Sequence, residues 1–206
     1  MVPAGSPRAW SVRRYRPEDA QQLQGLYERV TQPYRPEDAA EVSAMHERAR
    51  VARSTHDRWS PAPADERHID ESAYLAFWVA RVRASAEQRI IGCLGLRLVG
   101  DTGTADADTA DRSCVASARC WLHSTQLGEV RRLRVDPAWR RRGVATALMR
   151  ELMTFSSQPE HAFRGLVLNT TSAQLPALAL YGRLGFAEVG RCFLGPYELV
   201  WMQRKV

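Results

Sequence analysis

The stretch RRLRVDPAWRRRGVATALMREL, Arg131 to Leu152, runs an alternating apolar strand pattern into a proline turn, three consecutive arginines, a glycine and a helical pattern. Strand, tight turn and helix in that order bring unpaired backbone N–H groups and the positive end of a helix dipole to one point, an arrangement that suits phosphate. Gly143 permits close backbone approach and conformations closed to other residues, while Val144 and Ala145 keep the first turn narrow. The spacing is Arg140-x-x-Gly143-x-Ala145, and neither GxxxxGK[ST] nor GxGxxG occurs in the chain. The arginines therefore read either as a solvated basic patch or as a cradle for an anion.

Composition narrows the choice of partner. A chain of 206 residues, 45% hydrophobic and 25% charged, is that of a globular protein, expected as one domain over 1–206. Apolar runs such as AYLAFWVARV are too short to span a bilayer, and the opening MVPAGSPRAW has no apolar core for a signal peptide, so a cytoplasmic or otherwise intracellular location is expected. The net charge of +6 favours an anionic partner. Only Lys205 among the 29 basic residues is lysine, which leaves 28 arginines spread along the chain and weakens that inference. Cys93, Cys114, Cys120 and Cys192 form no CxxC pair and read as free thiols; the five histidines lack ligand spacing, and no metal site is expected.

Working outward, WSVRRY reads as a strand and RPEDAQQLQGLYERV as a helix with Leu23, Leu26, Tyr27 and Val30 on one face. A second helix is expected over about Glu37 to Arg53, and a loop over Thr55 to Asp70. ESAYLAFWVARVRA and QRIIGCLGLRLVG read as a hairpin. The acidic, apolar-poor DTGTADADTADRS marks a disordered insertion at about 100–116. From Gly128 onward the pattern is strand GEVRRLRV, helix Gly143 to Ser156, strand GLVLNT, helix Leu175 to Leu184, then strands FAEVGRCFL and YELVWMQRK.

RVDPAWRRRGVATALM resembles the [RQ]-x-x-G-x-[GA] signature of the GNAT superfamily of acyl-CoA-dependent N-acetyltransferases, and LYGRLGF, Leu180 to Phe186, resembles its second signature, LY-x-x-x-GF. Gly143 and Tyr181 stand 38 positions apart, room for one helix and one strand. The C-terminal half, LNTTSAQLPALALYGRLGFAEVGRCF, is further similar to camello-type members, which carry a membrane-embedded hydrophobic segment that has no counterpart here. The resemblance implies an α/β fold with a mixed, largely antiparallel sheet, a central parallel pair splayed around acetyl-CoA, and flanking helices. It also implies an N-acetyltransferase moving an acetyl group from acetyl-CoA, as co-substrate, to a primary amine on a protein, peptide or small molecule.

The same resemblance assigns roles. Tyr181 is the general acid for the leaving thiolate, a phenol with an ordinary pKa of about 10. Glu129, eleven positions before Arg140, is the base for an amine whose ordinary pKa is about 10.4, with a water chain as the alternative. The opposing reading of Glu129 is a partly exposed strand carboxylate paired with Arg131 or Arg132; that of Tyr181 is a packed helix aromatic. Backbone groups of Leu133, Arg134 and Val135 are expected along the pantetheine arm and acetyl carbonyl, and Arg140, Arg141, Arg142, Gly143, Val144, Ala145 and Thr146 around the pyrophosphate, with at least one arginine turned to solvent. Gln174 and Ala177 complete the cofactor set, Gln174 equally readable as a polar residue at a helix start. Expected partners are coenzyme A and an amine acceptor; a homodimer is allowed. A non-catalytic acyl-CoA-binding domain is the alternative, and a nucleic-acid-binding protein ranks below it because GVATALMREL is mostly apolar.

Overall fold

The computed structural model describes residues 9–30, 74–83, 89–99, 127–161, 163–194 and 197–206. Numbered over these residues, the strands are β1 (Trp10–Arg14), β2 (Ala76–Val82), β3 (Ile90–Leu98), β4 (Leu127–Val135), β5 (Gly165–Thr171), β6 (Ala187–Leu194) and β7 (Tyr197–Lys205). The helices are α1 (Ala20–Val30), α2 (Val144–Ser156) and α3 (Leu175–Arg183). The strand order is β1-β2-β3-β4-β5-β7-β6. Pairs β1–β2, β2–β3, β5–β7 and β6–β7 are antiparallel, and β4–β5 is parallel. The expected mixed sheet is thus present, with its parallel pairing confined to Leu127↔Gly165, Gly128↔Leu166 and Glu129↔Val167. The expected second helix, the Thr55 to Asp70 loop and the acidic insertion lie outside the described residues.

The described residues divide between two compact units. In the first, which holds β1 to β3, β4 from Val130, α1 and α2, β2 is buried along Ala76 to Ala80 without alternation, as a strand covered on both faces must be. Phe77 and Val79 join Leu23, Leu26 and Tyr27 of α1 in one core, and Trp78 meets Phe155 of α2 edge to face at 5.4 Å. The buried positions Val144, Leu148, Met149, Leu152 and Ser156 give α2 a single apolar stripe. The start of α1 is fixed by buried Asp19, which accepts two hydrogen bonds from Arg13 at 2.8 Å each and one from the Arg16 N–H at 3.0 Å.

The second unit holds the start of β4, β5 to β7 and α3, with Leu127, Leu166, Leu168, Phe186, Val200 and Met202 buried. Cysteine usage here departs from the sequence reading. Cys93 is a buried free thiol, but Cys192 is disulfide-bonded. A test for CxxC spacing does not detect such a bond.

Candidate active site

The turn after β4 is built on Asp136, a residue that the sequence reading passed over as part of the proline turn. Its carboxylate is buried and accepts the Ala138 N–H at 3.0 Å, Arg29 Nε at 2.8 Å and Arg89 Nη2 at 2.8 Å, while its own N–H donates to the Ile91 carbonyl at 2.9 Å. Burial alone would raise this carboxyl's pKa; the hydrogen bonds from Arg29, Arg89 and Ala138 outweigh it and hold the group below its ordinary value. Pro137 then fits the first position of the short helical turn Pro137–Trp139. Both arginine partners are partly exposed, so water relieves them when the acid is lost. Asp136→Asn is expected to lower the unfolding free energy by about 2 kcal/mol, less than for a fully buried pair. A group depressed in the folded state stabilises fully above its unfolded pKa of about 3.9 and less as pH falls toward its folded value. The difference between wild type and variant in urea titrations should therefore hold from neutral pH to about 5 and shrink below about 4.

From this anchored turn the chain enters α2 through two left-handed residues, Arg141 at φ 60° and Gly143 at φ 79°. Gly143 is the N-cap of α2, and a Cβ built on it would meet nothing within 4 Å, so the space in front of the helix start is open. The first helical hydrogen bond runs from the Ala147 N–H to the Gly143 carbonyl, leaving the N–H groups of Val144, Ala145 and Thr146 outside the intrahelical set. The three arginines do different things. Arg140 Nε donates to the Val135 carbonyl at 3.4 Å, the Arg142 guanidinium lies 5.0 Å from the centre of the Trp139 ring, and Arg141 is exposed. Leu133, Arg134 and Val135 are half-buried on β4, directly after Arg132, whose φ of 60° breaks the extended strand geometry.

In the second unit Glu129 is buried, 7% exposed, and is the last β4 residue in register with β5. The reading as a partly exposed strand carboxylate is corrected: Glu129 is buried together with its neighbours Leu127, Gly128 and Val130. Gln174 is the exposed N-cap of α3, its side-chain oxygen accepting from Thr170 Oγ1 at 3.2 Å and its N–H donating to the Thr171 carbonyl at 3.0 Å. Ala177 is half-buried on α3.

LYGRLGF has a local physical reason. The Phe186 N–H donates to the Tyr181 carbonyl and the Gly185 N–H to the Gly182 carbonyl, each at 3.0 Å, and Gly185 sits at φ 84°. That is a Schellman cap, with glycine in its left-handed position and an apolar contact between the residues flanking it. Tyr181 and Phe186 supply the contact, ring centres 6.0 Å apart. The motif's tyrosine, glycine and phenylalanine are thus all accounted for as a helix terminus; the cap uses the tyrosine's ring and carbonyl and makes no demand on its hydroxyl. Among the described residues no group of three or more His, Cys, Asp or Glu is arranged to hold a metal. No helix among them is long and apolar enough to cross a membrane.

A seven-stranded mixed sheet with one short parallel pair and an open, glycine-capped helix start after β4 together make a mixed α/β fold. The chain belongs to the acetyltransferase (GNAT) family, whose model matches residues 40–186. It is similar to human N-acetyltransferase 8, 29% identical over 117 residues, which cover 57% of this chain and 40% of that protein. This agrees with the camello-type likeness of the C-terminal half. It is also similar to N-acetylaspartate synthetase of Xenopus tropicalis, 39% identical over 62 residues, 30% of this chain and 22% of the other. The chain thus spans two fifths or less of the length of these curated relatives. The fold is shared with Arabidopsis thaliana NAA60, solved in complex with acetyl-CoA, at a TM-score of 0.57 and 18% identity over 96% of this chain and 98% of the other. A GCN5-related N-acetyltransferase from Kribbella flavida matches at a TM-score of 0.58 and 16% identity, over 98% of this chain and 100% of the other.

Proposed function

We propose that the chain transfers an acetyl group from acetyl-CoA to a primary amine. The observation that carries this reading is the start of α2: an N-cap glycine in left-handed conformation with open space before it, three first-turn N–H groups outside the helix ladder, and the exposed Arg141 beside them. A pyrophosphate suits this point by charge and by hydrogen bonding. Arg142 lies over the Trp139 ring instead. The backbone of Leu133 to Val135 supports the pantetheine arm and the acetyl carbonyl as an added strand does.

Once the ammonium is deprotonated, the free amine nitrogen attacks the acetyl carbon, the carbon–sulfur bond breaks, the thiolate takes the Tyr181 phenol proton, and the proton then lost from the new amide nitrogen restores the phenol. The ammonium proton leaves to Glu129 or to a water chain, Glu129 being a buried carboxylate with the chemistry of a base. The likeness to N-acetylaspartate synthetase makes amino acids with a free α-amine the first acceptors to test, with peptide amines beside them. Incubation with acetyl-CoA and a panel of such amines should release coenzyme A thiol in proportion to acetylated amine found by mass spectrometry. Tight acetyl-CoA binding with no product from any amine would instead favour the non-catalytic alternative.

A further inference from the structure

Arg132 is the strained point of β4. A non-glycine residue at φ 60° inside a strand costs on the order of 1 kcal/mol and persists only where its surroundings hold it. Three side chains of the first unit surround it. Cys93 Sγ, on β3, lies 3.4 Å from the Arg132 carbonyl; Tyr74 Oη accepts from Arg132 Nε at 3.2 Å; and Tyr27 Oη of α1 lies 3.8 Å from Cys93 Sγ. The Arg134 guanidinium is 6.0 Å from the centre of the Tyr27 ring. Cys93 and Tyr27 are 0% and 1% exposed, so their polar atoms must find partners inside the protein.

A thiol carries one proton. The Arg132 carbonyl can only accept, whereas the Tyr27 hydroxyl can also donate, so the Cys93 S–H goes to the carbonyl and the Tyr27 O–H is directed at Cys93 Sγ. Burial pushes the Cys93 pKa up to about 12, which keeps the proton on sulfur at neutral pH. A valine of similar volume would fill the same space in the core, but it has no proton to offer the carbonyl.

We propose that Cys93, backed by Tyr27, is a positioning residue for the cofactor strand: its S–H holds the Arg132 carbonyl in the turned-out geometry that sets the direction of Leu133, Arg134 and Val135. The inference rests on the proposed role of those three residues along the pantetheine arm. The α2 cradle, reached later in the chain, is anchored separately through Asp136. Cys93 should therefore matter for the arm and not for the phosphates.

The test compares two ligands on the full chain by calorimetry. Adenosine 3′,5′-bisphosphate carries phosphates and no pantetheine arm, and acetyl-CoA carries both. Cys93→Ala is expected to weaken acetyl-CoA about tenfold and the bisphosphate less than twofold, with Tyr27→Phe, which removes one oxygen and keeps the ring, shifting acetyl-CoA in the same direction by less. Hydrogen exchange gives a readout independent of any ligand: in Cys93→Ala the amides of Leu133 and Arg134 should exchange faster while those of the β2–β3 ladder keep their protection. Equal weakening of both ligands, or wild-type acetyl-CoA affinity with unchanged exchange at Leu133 and Arg134, overturns the positioning role. Wild-type protein that binds neither ligand overturns the functional reading alone; exchange at Leu133 and Arg134 in Cys93→Ala then decides the hold on the strand, faster exchange supporting it and unchanged exchange overturning it.

Discussion

Tyr181→Phe is expected to slow acetyl transfer in a single turnover by roughly 10² or more, the usual effect of deleting a positioned general acid. The expectation is sharp because the Schellman cap separates the two roles of the side chain. The ring packs on Phe186 and the backbone carbonyl closes the cap, and phenylalanine keeps both. The variant is therefore expected to fold and to retain acetyl-CoA affinity. Steady-state turnover falls less if product release limits the rate, so the burst of coenzyme A release on mixing preformed enzyme–acetyl-CoA complex with an accepted amine is the measurement to make. A burst at the wild-type rate in the Tyr181→Phe variant would leave Tyr181 as a helix-capping aromatic and nothing more.

Gly143→Asp is expected to remove most of the stabilisation conferred by acetyl-CoA. For wild type, a ligand at a hundredfold excess over its dissociation constant adds about 2.7 kcal/mol by mass action. Aspartate places a carboxylate in the open space before α2, where a phosphate would sit, and repels it. The unliganded variant remains folded: the new Cβ meets no atom within 4 Å, and the left-handed φ of 79° costs aspartate about 1 kcal/mol, being among the residues that tolerate it best. Thermal denaturation with and without acetyl-CoA checks both halves of the expectation. A folded variant with an undiminished ligand shift would remove the phosphate cradle from the helix start.

Much of the site was legible because its signals are local. The order of strand, proline turn, glycine and apolar-striped helix from Arg131 to Leu152 follows from hydrophobic period and from the two residues with the most restrictive backbone rules, and α2 runs over Val144–Ser156 as that pattern requires. LYGRLGF was legible for the same reason, since a Schellman cap is written within six residues. That Arg142 lies over the Trp139 ring was not legible, because it depends on which side chains the turn brings within reach.

Other features depend on residues brought together from far along the chain. Asp136 reads in the sequence as a turn residue; only folding sets Arg29, 107 positions away, and Arg89 against it and makes it a buried anchor. Glu129 stands among apolar neighbours and looks half-exposed in the sequence, yet the fold buries it. Arg132 shows no glycine or proline to announce a positive φ, and the thiol and phenol beside it come from β3 and α1. Cys192 looks unpaired by spacing and is disulfide-bonded in the fold. By itself the sequence determined what backbone stereochemistry and hydrophobic period can encode within one or two elements: the strands, the helix ends and the open cradle. The tertiary structure decided which polar groups are buried and what satisfies them, because burial and hydrogen-bond partnership between elements are properties of contacts that local sequence does not contain.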